Sequence, residues 1–369
     1  MNIIMLGCRG VPATYGGVEK VVEELAARFV KKGHKVSVIC RNHYTPKMNV
    51  FKGIKIIRIP TVNQKHLEMI VHTVIASLYL LLKKYDIVHI HSVDPALLTP
   101  ILKLRHPVVA TSHGQAYRRD KWGKLAKTMS KFAERVFICS AHLCTAVSKT
   151  LTDYYLYKYG REVKYIPNGI EFRDIEDFDL IKRFGIEKDK YILYVGRLIP
   201  TKGPKILIDA YKKINSETKL VFVGGSSHTD EYEKTLRKEA NEKIMFLGYQ
   251  HGRVLNALYD HCKLFVFPSQ IEGLPIVLLE SLCARKPVIF SDIPENMEIG
   301  NGLGISFRSG DSDDLGEKLS YALSNMEHFE IFKSKISEKL DKEYNWDFIA
   351  EQYIKAYQEI MPKKERTSA

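Results

Sequence analysis

Two carboxylates stand in an otherwise apolar stretch, EGLPIVLLES, at residues 272–281. Glu272 lies beside a glycine, and Glu280 follows four consecutive aliphatic residues. Pro275 suits the first turn of a helix, where its missing N–H costs little. A buried carboxylate costs several kcal/mol unless it is hydrogen-bonded or paired. We therefore predict a helix here whose Glu280 meets either a structural partner, such as a lysine or the backbone, or a hydroxyl-rich ligand such as a ribose.

A pair of cations marks a second candidate site in YVGRLIPTKG, residues 194–203. Arg197 ends a predicted strand, and Lys202 follows five residues later, before a helical pattern. The arginine fork and the mobile lysine charge together suit a diphosphate. The alternative is two solvated surface cations.

The first half offers a histidine and a glycine-rich loop. His113 closes a predicted strand, where it could bond a substrate hydroxyl or phosphate or act as an acid or base, although lone histidines are commonly structural. Gly16 and Gly17 lead directly into a helix whose first N–H groups suit an anion. The loop matches neither the dinucleotide fingerprint nor the P-loop, and a tight turn is the alternative.

A basic segment follows His113. Its cations could contact anionic lipid head groups or grip an anionic acceptor, or they could form a solvated helix face. The cations proposed for this role are Arg118, Arg119, Lys121 and Lys124, with Lys127, Lys131 and Arg135 continuing the stripe.

Short apolar runs alternate with amphipathic stretches along the chain, which predicts an α/β fold with parallel sheets. Runs at 2–6, 35–40, 55–59, 86–91, 107–112 and 141–147 predict the strands of one domain. The pattern restarts with runs at 191–196, 219–225, 243–248, 263–268 and 286–291. After Asp311 it is helical, and Asp311-Ser312-Asp313 is interpreted as a helix start and not as a metal-binding cluster.

These patterns predict a domain over 1–168, a second over 169–345, a helix over 346–361 that packs back on the first domain, and a frayed tail over 362–369. Two such domains facing each other would form a cleft at the carboxyl ends of their strands, where open α/β sheets bind ligands.

Composition excludes several classes of protein. The chain has 369 residues, 45% hydrophobic and 27% charged, as expected of a globular protein. The apolar run 67–82 contains Glu68 and His72 and predicts a core helix and not a membrane span. The start lacks the features of a signal peptide, and the six cysteines lack metal-binding spacing, so we expect reduced thiols in a cytosolic protein.

Charge is concentrated in the first half. Residues 1–168 hold 27 basic and 10 acidic residues, a net charge of +17, whereas the whole chain carries +13. The excess suggests an anionic partner such as nucleic acid, an anionic lipid surface or a phosphorylated substrate, or else a solubilising charge.

Taken together, the motifs resemble the family 4 retaining glycosyltransferases, which have the GT-B fold of two Rossmann-like, doubly wound parallel-sheet domains facing an inter-domain cleft. The resemblance spans nearly the whole chain and includes Pro167-Asn168-Gly169, Gly224-Gly225 and the two glutamates eight positions apart, with seven residues between them. RGVPATYGGVE and HGQAYRRDKWGK also look like a rhamnosyltransferase-like bacterial subgroup.

The resemblance implies a role for each matching residue. Arg197 and Lys202 would bind the donor diphosphate. Glu272 would contact the donor sugar and Glu280 the ribose, and the nucleobase would lie near Gly248. The catalytic residues would be His113, Arg197, Lys202 and Glu272. The donor-binding residues would be Gly16, Gly17, Asn168, Gly196, Arg197, Lys202, Gly225, Gly248, Tyr249, Glu272, Gly273, Leu274, Pro275, Ile276, Val277 and Glu280.

The implied activity is metal-independent transfer of a hexose-type sugar from a nucleotide-diphosphate sugar, without a cofactor. The acceptor hydroxyl would attack from the leaving-group side, with phosphate oxygen taking its proton. The acceptor would be a glycan or lipid-linked saccharide in surface polysaccharide synthesis. The chain departs from the family pattern at residues 272–276, which read EGLPI where many members have an additional glycine and an aromatic residue. This difference puts in doubt only the local fit around the donor sugar.

Two other functions remain alternatives from the sequence: another GT-B enzyme, such as a nucleotide-sugar epimerase, and a basic nucleic-acid-binding protein. The first would need its own acid/base residues, and the second a nucleic-acid-binding module. The expected location is the cytoplasm, with peripheral contact at the inner membrane face through the first domain.

Overall fold

The computed structural model describes residues 1–14, 16–62, 64, 67–115, 124–226 and 230–362; of residues 124–126 and 230 it describes the backbone. The chain divides into two compact units. The first unit comprises Met1–Asn168 and Trp346–Ala369, and the second comprises Gly169–Asn345.

The first unit is built on an eight-stranded sheet in the order β3-β4-β2-β1-β5-β6-β7-β8. Neighbouring strands are parallel except for the antiparallel pair β3–β4. The strands are β1 (Asn2–Leu6), β2 (Lys35–Arg41), β3 (Val50–Phe51), β4 (Ile54–Ile59), β5 (Ile87–His91), β6 (Val108–Ser112), β7 (Leu143–Ala146) and β8 (Lys164–Tyr165).

Helices cover both faces of this sheet. They are α1 (Gly17–Lys31), α2 (Glu68–Leu81), α3 (Thr99–Lys103), α4 (Lys124–Ser140), α5 (Lys149–Tyr159) and the C-terminal α13 (Trp346–Ile360). The chain moves one way along the sheet through α1 and the other way through α2, α3, α4 and α5. Since parallel crossovers are right-handed, α1 lies on one face and the other four on the opposite face. Helix α13 packs against α1.

The second unit has a six-stranded, wholly parallel sheet in the order β11-β10-β9-β12-β13-β14. Its strands are β9 (Tyr191–Val195), β10 (Lys219–Val223), β11 (Ile244–Phe246), β12 (Leu264–Phe267), β13 (Val288–Ser291) and β14 (Ile305–Phe307). Its helices are α6 (Pro204–Lys212), α7 (Asp230–Arg237), α8 (Gly252–Asp260), α9 (Ile276–Cys283), α10 (Pro294–Gly300), α11 (Ser312–Ser324) and α12 (Glu330–Tyr344).

Apolar runs become buried strands in both units because both faces of each sheet are covered. In the second unit Ile192, Tyr194, Leu220 and Val266 belong to one core with side chains of α6 and α11. Asp311 begins α11 as predicted, since its carboxylate accepts the backbone N–H groups of the two following aspartates.

Two expectations need correction. The run 67–82 forms α2, which buries one side, with Ala76 and Leu80 fully covered, but it is not buried all round, because Val74 and Leu78 are 42% and 57% exposed. Pro275 lies just before the first turn of α9, as its N-cap, and not within that turn. Within the described residues no helix is both long and apolar enough to cross a membrane.

Candidate functional site

Lys202 and Glu272 meet in the second unit. The Lys202 ammonium lies 2.5 Å from Glu272 Oε1 and donates to the carbonyl oxygen of Ile271 at 3.1 Å. Both side chains are largely buried, at 15% and 12% exposed. The two charges, 70 residues apart in sequence, thus form one ion pair at the carboxyl ends of the adjacent strands β9 and β12.

The backbone fixes this pairing. Gly203 follows Lys202 with φ +69°, and a Cβ there would lie 2.2 Å from the carbonyl oxygen of Pro268. The N–H of Gln270 donates to the carbonyl oxygen of Thr201 at 2.9 Å. The turn carrying Lys202 is therefore held against the loop carrying Glu272, and only glycine allows so close an approach.

Arg197 lies at the same edge, two residues beyond β9. It is half-buried, and its carbonyl oxygen accepts a hydrogen bond from the Tyr194 hydroxyl at 2.9 Å. Burial raises the pKa of Tyr194, so its hydroxyl stays protonated as a donor. This contact anchors the Arg197 backbone.

Glu280 receives a hydrogen bond from a residue that sequence reasoning missed. The Tyr259 hydroxyl, at the end of α8, donates to Glu280 Oε2 at 3.1 Å. The pKa of Tyr259 is raised mainly by burial and, to a smaller extent, by the charge of Glu280. Glu280 is half-buried on α9. A polar partner was expected, but nothing in the local sequence singles out Tyr259.

The helix that carries Glu280 begins beside Glu272. No side chain caps α9, and its first backbone bonds run from Leu278 and Leu279 to the carbonyl oxygen of Pro275. The first N–H groups of a helix have no partner inside it and attract anions. Gly273 and Leu274 join Glu272 to this end of the helix, so Ile276 and Val277 lie in its first turn.

Glycines line the neighbouring strand ends. The N–H of Gly224 donates to the carbonyl oxygen of Gly248 at 2.8 Å, and Gly225 accepts from the N–H of Leu198 at 3.1 Å. A Cβ on Gly224 would lie 2.0 Å from the carbonyl oxygen of Gly196. The loops after β9, β10 and β11 are thus drawn together. Tyr249 follows Gly248 and is 51% exposed.

In the first unit, Gly16 directly precedes α1 and Gly17 begins it. Two carboxylates of α1 hold the loop before them: Glu19 accepts the N–H of Arg9 at 3.0 Å, and Glu23 accepts the N–H of Ala13 at 2.7 Å. Side chains of α1 therefore fix the loop that precedes this helix. Asn168, at the end of the unit, is buried.

His113, the residue after β6, belongs to a cluster with His89 and His91 of β5. Its Nε2 lies 3.0 Å from His91 Nδ1, and the two rings stack with centroids 5.3 Å apart. His89 contacts His91 at 3.9 Å between ring centroids and bonds the Tyr357 hydroxyl of α13 at 2.7 Å. Sequence reasoning read β5 only as a strand, although its HIH pattern places both histidines on one face.

Burial keeps these imidazoles neutral. It lowers the pKa of His113 to about 4 and that of His89 to about 3, and it holds the pKa of His91 well below its usual range. His91 Nε2 is buried without a hydrogen-bond partner among the described residues. Near neutral pH His113 is therefore an uncharged group whose Nε2 is held by His91.

Arg118, Arg119 and Lys121 lie outside the described residues. Lys124 begins α4, but its side chain is also outside the description. In the described part of the chain, no group of three histidine, cysteine or carboxylate side chains is placed to hold a metal ion.

Two family models match the chain, one to each half. Residues 15–173 match Glycosyltransferase Family 4, and residues 177–339 match Glycosyl transferases group 1. The two matches together span most of the sequence.

Relatives and solved structures agree with these matches. An uncharacterized glycosyltransferase of Methanocaldococcus jannaschii is 29% identical, over 98% of this chain and 99% of that protein. The Campylobacter jejuni enzyme named GalNAc-alpha-(1->4)-GalNAc-alpha-(1->3)-diNAcBac-PP-undecaprenol alpha-1,4-N-acetyl-D-galactosaminyltransferase is 24% identical, over 94% of this chain and 96% of that protein. Anabaena HepE, solved with UDP-glucose, superposes with a TM-score of 0.79 at 17% identity, over 97% of this chain and 100% of that one.

The likeness to HepE concerns the fold alone. Similarity to a rhamnosyltransferase-like subgroup stays a prediction. The predicted family and fold class are confirmed: the chain belongs to the family 4 glycosyltransferases and has the GT-B fold.

Proposed function

We propose that this glycosyltransferase is a retaining, metal-independent enzyme that moves a hexose-type sugar from a nucleotide-diphosphate donor to a hydroxyl of a glycan or lipid-linked saccharide. The observation that carries the proposal is the buried Lys202–Glu272 pair beside the first turn of α9. The catalytic residues we propose are His113, Arg197, Lys202 and Glu272.

The donor diphosphate would bind between Lys202, Arg197 and the first turn of α9. Departure of the nucleotide builds negative charge on the β-phosphate, and fixed cations and helix N–H groups stabilise that charge. The Lys202 ammonium is held by the Glu272 carboxylate. Glu272 would therefore orient the ammonium toward the diphosphate, whose charge the ammonium would stabilise as a metal ion does in metal-dependent enzymes.

The nucleoside would lie toward Glu280 and Tyr249. Tyr259 donates to one oxygen of Glu280, which fixes the carboxylate while its lone pairs accept from two adjacent ribose hydroxyls. The base would lie beside Gly248 and Tyr249, whose exposed ring offers a stacking surface.

We propose that the first unit binds the acceptor, with His113 as its catalytic residue, and that Gly16, Gly17 and Asn168 contribute to donor binding. His113 would meet a sugar hydroxyl through its Nδ1, because its Nε2 faces His91. A neutral imidazole there supplies a hydrogen bond without a charge. For retention, the acceptor hydroxyl would attack on the face that the diphosphate leaves, and a phosphate oxygen would take its proton.

The relatives support a proposed role in surface polysaccharide synthesis, since the name of one of them contains a PP-undecaprenol-linked saccharide. The positive charge of the first half suits a diphosphate-linked acceptor and contact with an anionic membrane at the cytoplasmic face. Arg118, Arg119, Lys121 and Lys124 are the residues proposed for that contact. The alternatives, an epimerase or a nucleic-acid-binding protein, are not favoured by the family matches.

The test is a thermal-shift panel of UDP-, GDP-, dTDP- and ADP-sugars, each measured with and without EDTA. We expect one nucleotide class to raise the melting temperature of the wild type equally in both conditions. Glu280→Gln should reduce that shift in melting temperature. Inorganic diphosphate, which has no ribose, should give the same small shift with the wild type and with Glu280→Gln. Stabilisation that EDTA abolishes would contradict metal independence, and no shift with any donor would contradict the proposed site.

A further inference from the structure

Three buried polar residues lie behind the loop that carries Glu272. Ser269, Ser291 and Asn296 are each 0% exposed, and we call them the buried polar network. They come from different elements: Ser269 lies two residues beyond β12, Ser291 ends β13, and Asn296 belongs to α10. A buried polar group costs free energy unless it is hydrogen-bonded. The hydrogen bonds of these residues therefore show what the network does.

Asn296 bonds Ser291 twice through its amide nitrogen. Asn296 Nδ2 lies 2.9 Å from Ser291 Oγ and 3.1 Å from the carbonyl oxygen of Ser291. Because a carbonyl oxygen can only accept, Asn296 must present its NH2 group here and not its amide oxygen. The other proton of the same NH2 group is donated to Ser291 Oγ. The orientation of the Asn296 side chain is thereby fixed.

The Ser291 hydroxyl is in turn a donor to the loop. It lies within hydrogen-bond distance of the carbonyl oxygen of Ser269. A hydroxyl has one proton, and Ser291 Oγ already accepts from Asn296, so this proton is donated to Ser269. The hydrogen bonds of the network therefore have a single possible direction, from Asn296 through Ser291 to the backbone of Ser269.

The backbone held in this way leads to Lys202. After Ser269, the N–H of Gln270 donates to the carbonyl oxygen of Thr201 at 2.9 Å. The carbonyl oxygen of the next residue, Ile271, accepts from the Lys202 ammonium at 3.1 Å. Three successive residues are thus fixed to the buried polar network, to the turn before Lys202 and to Lys202 itself. A shift at Ser269 would move an oxygen that orients the ammonium.

The network is not optimal for stability. Asn296 Oδ1 is buried and has no hydrogen-bond partner in the described part of the chain. A partly satisfied polar network is less favourable than apolar side chains of the same shape. Apolar side chains in place of Ser291 and Asn296 would therefore suit the core better. The polar residues point to a requirement at the loop and not to a gain in stability.

We propose that Ser291 and Asn296 are positioning residues for the transfer reaction, because their hydrogen bonds fix the loop that holds the Lys202 ammonium toward the donor diphosphate. The inference rests on the proposed function, since it acts through the role that Lys202 has there. Neither side chain contacts the donor, because both are fully buried.

The first test is hydrogen exchange of the loop amides, which needs no substrate. Ser291→Ala removes the donor to Ser269, whereas Ser291→Thr keeps the hydroxyl. The matched control is Ser77→Ala, because Ser77 is buried in α2 of the first unit and its hydroxyl donates only within that helix, to Thr73 at 2.8 Å. The amide of Gln270 should exchange about tenfold faster in Ser291→Ala. Its exchange should stay at the wild-type rate in Ser291→Thr and in Ser77→Ala.

The second test is donor turnover, measured as release of the nucleoside diphosphate. Ser291→Ala should lower kcat about tenfold to a hundredfold with a smaller change in KM, whereas Ser291→Thr and Ser77→Ala should stay within about threefold of the wild type. In a Lys202→Met background, Ser291→Ala should lower kcat no further, because the residue through which Ser291 acts is gone. A serine with only a structural role would lower the melting temperature in both backgrounds and leave this dependence on Lys202 out. Asn296→Leu is measured beside Ser291→Ala and should show both effects if Ser291→Ala does not fold.

The proposal is overturned if Ser291→Ala leaves the exchange of Gln270 or the kcat unchanged, or if Ser291→Thr loses as much as Ser291→Ala. It is also overturned if Ser291→Ala lowers kcat by the same factor with and without Lys202→Met. A wild type that turns over no donor would contradict the proposed function, and hydrogen exchange would still test the hold on the loop. An active wild type that Ser291→Ala does not impair would contradict this inference alone.

Discussion

Replacing Lys202 with methionine removes the ammonium that meets Glu272 and keeps most of the volume of the side chain. Removing one partner of a fully buried pair costs about 3–5 kcal/mol, and an exposed pair is worth at most about 1 kcal/mol. Since both side chains are slightly exposed, at 15% and 12%, we expect the free energy of unfolding to fall by about 2–3 kcal/mol.

Donor turnover should fall further. If Lys202 stabilises the departing diphosphate, its loss should lower kcat by about a hundredfold to a thousandfold, as for the loss of one preorganised donor group. The assay is steady-state release of the nucleoside diphosphate from the donor, alongside urea unfolding. The matched control is Lys205→Met, because Lys205 pairs with Asp209 on the surface of α6 and is 44% exposed.

The control should unfold and turn over as the wild type does, within about 1 kcal/mol and twofold. If Lys202→Met lowers stability but keeps turnover within about threefold of the wild type, the ion pair is only structural and our reasoning about the leaving group is wrong.

Three further predictions concern other parts of the molecule. Glu280→Gln should raise the KM for the donor about tenfold or more with a smaller change in kcat, because it weakens a charge-assisted hydrogen bond to the ribose; a change in kcat alone would argue against that role. Gly224→Ala should lower the free energy of unfolding by at least about 2 kcal/mol, since φ is +126° and the new Cβ would lie 2.0 Å from the carbonyl oxygen of Gly196. Gly185→Ala, at φ +66° in open space, should cost less by the same urea titration. The free energy of unfolding should also fall with acid, because burial lowers the pKa of His113 to about 4 in the folded protein, whereas the unfolded chain binds the proton near pH ~6.5. The loss should reach up to about 1.4 kcal/mol per pH unit between about pH 6.5 and pH 4. A urea midpoint that does not change over this range would contradict the prediction.

The fold was predictable because its strands are covered on both faces. Short apolar runs such as residues 2–6 and 191–196 alternate along the chain with amphipathic helices, and this pattern is typical of strands buried in a parallel sheet. The strands that escaped prediction, Val50–Phe51, Lys164–Tyr165 and Ile305–Phe307, have only two or three residues. Such short segments carry too little pattern to be distinguished from loops.

The site was less predictable wherever a residue acts through a distant partner. Glu280 drew attention because a charge interrupts an apolar run, but Tyr259 lies in an ordinary helix and reaches it only in the folded chain. His91 was hidden in a strand for the same reason, since its contact with His113 needs β5 and β6 to be neighbours. Hydrophobicity alone also could not tell that α2 leaves Leu78 uncovered.

The proposed site around Lys202, Glu272 and the first turn of α9 would bind and activate a nucleotide-diphosphate sugar. The most direct measurement is the release of nucleoside diphosphate by the wild type, Lys202→Met and Lys205→Met with the UDP-, GDP-, dTDP- and ADP-sugars, in EDTA. Turnover of one nucleotide class by the wild type and Lys205→Met, with that of Lys202→Met lower by about a hundredfold or more, is the predicted result. Equal turnover by all three proteins, or none by the wild type with any donor, would contradict the claim.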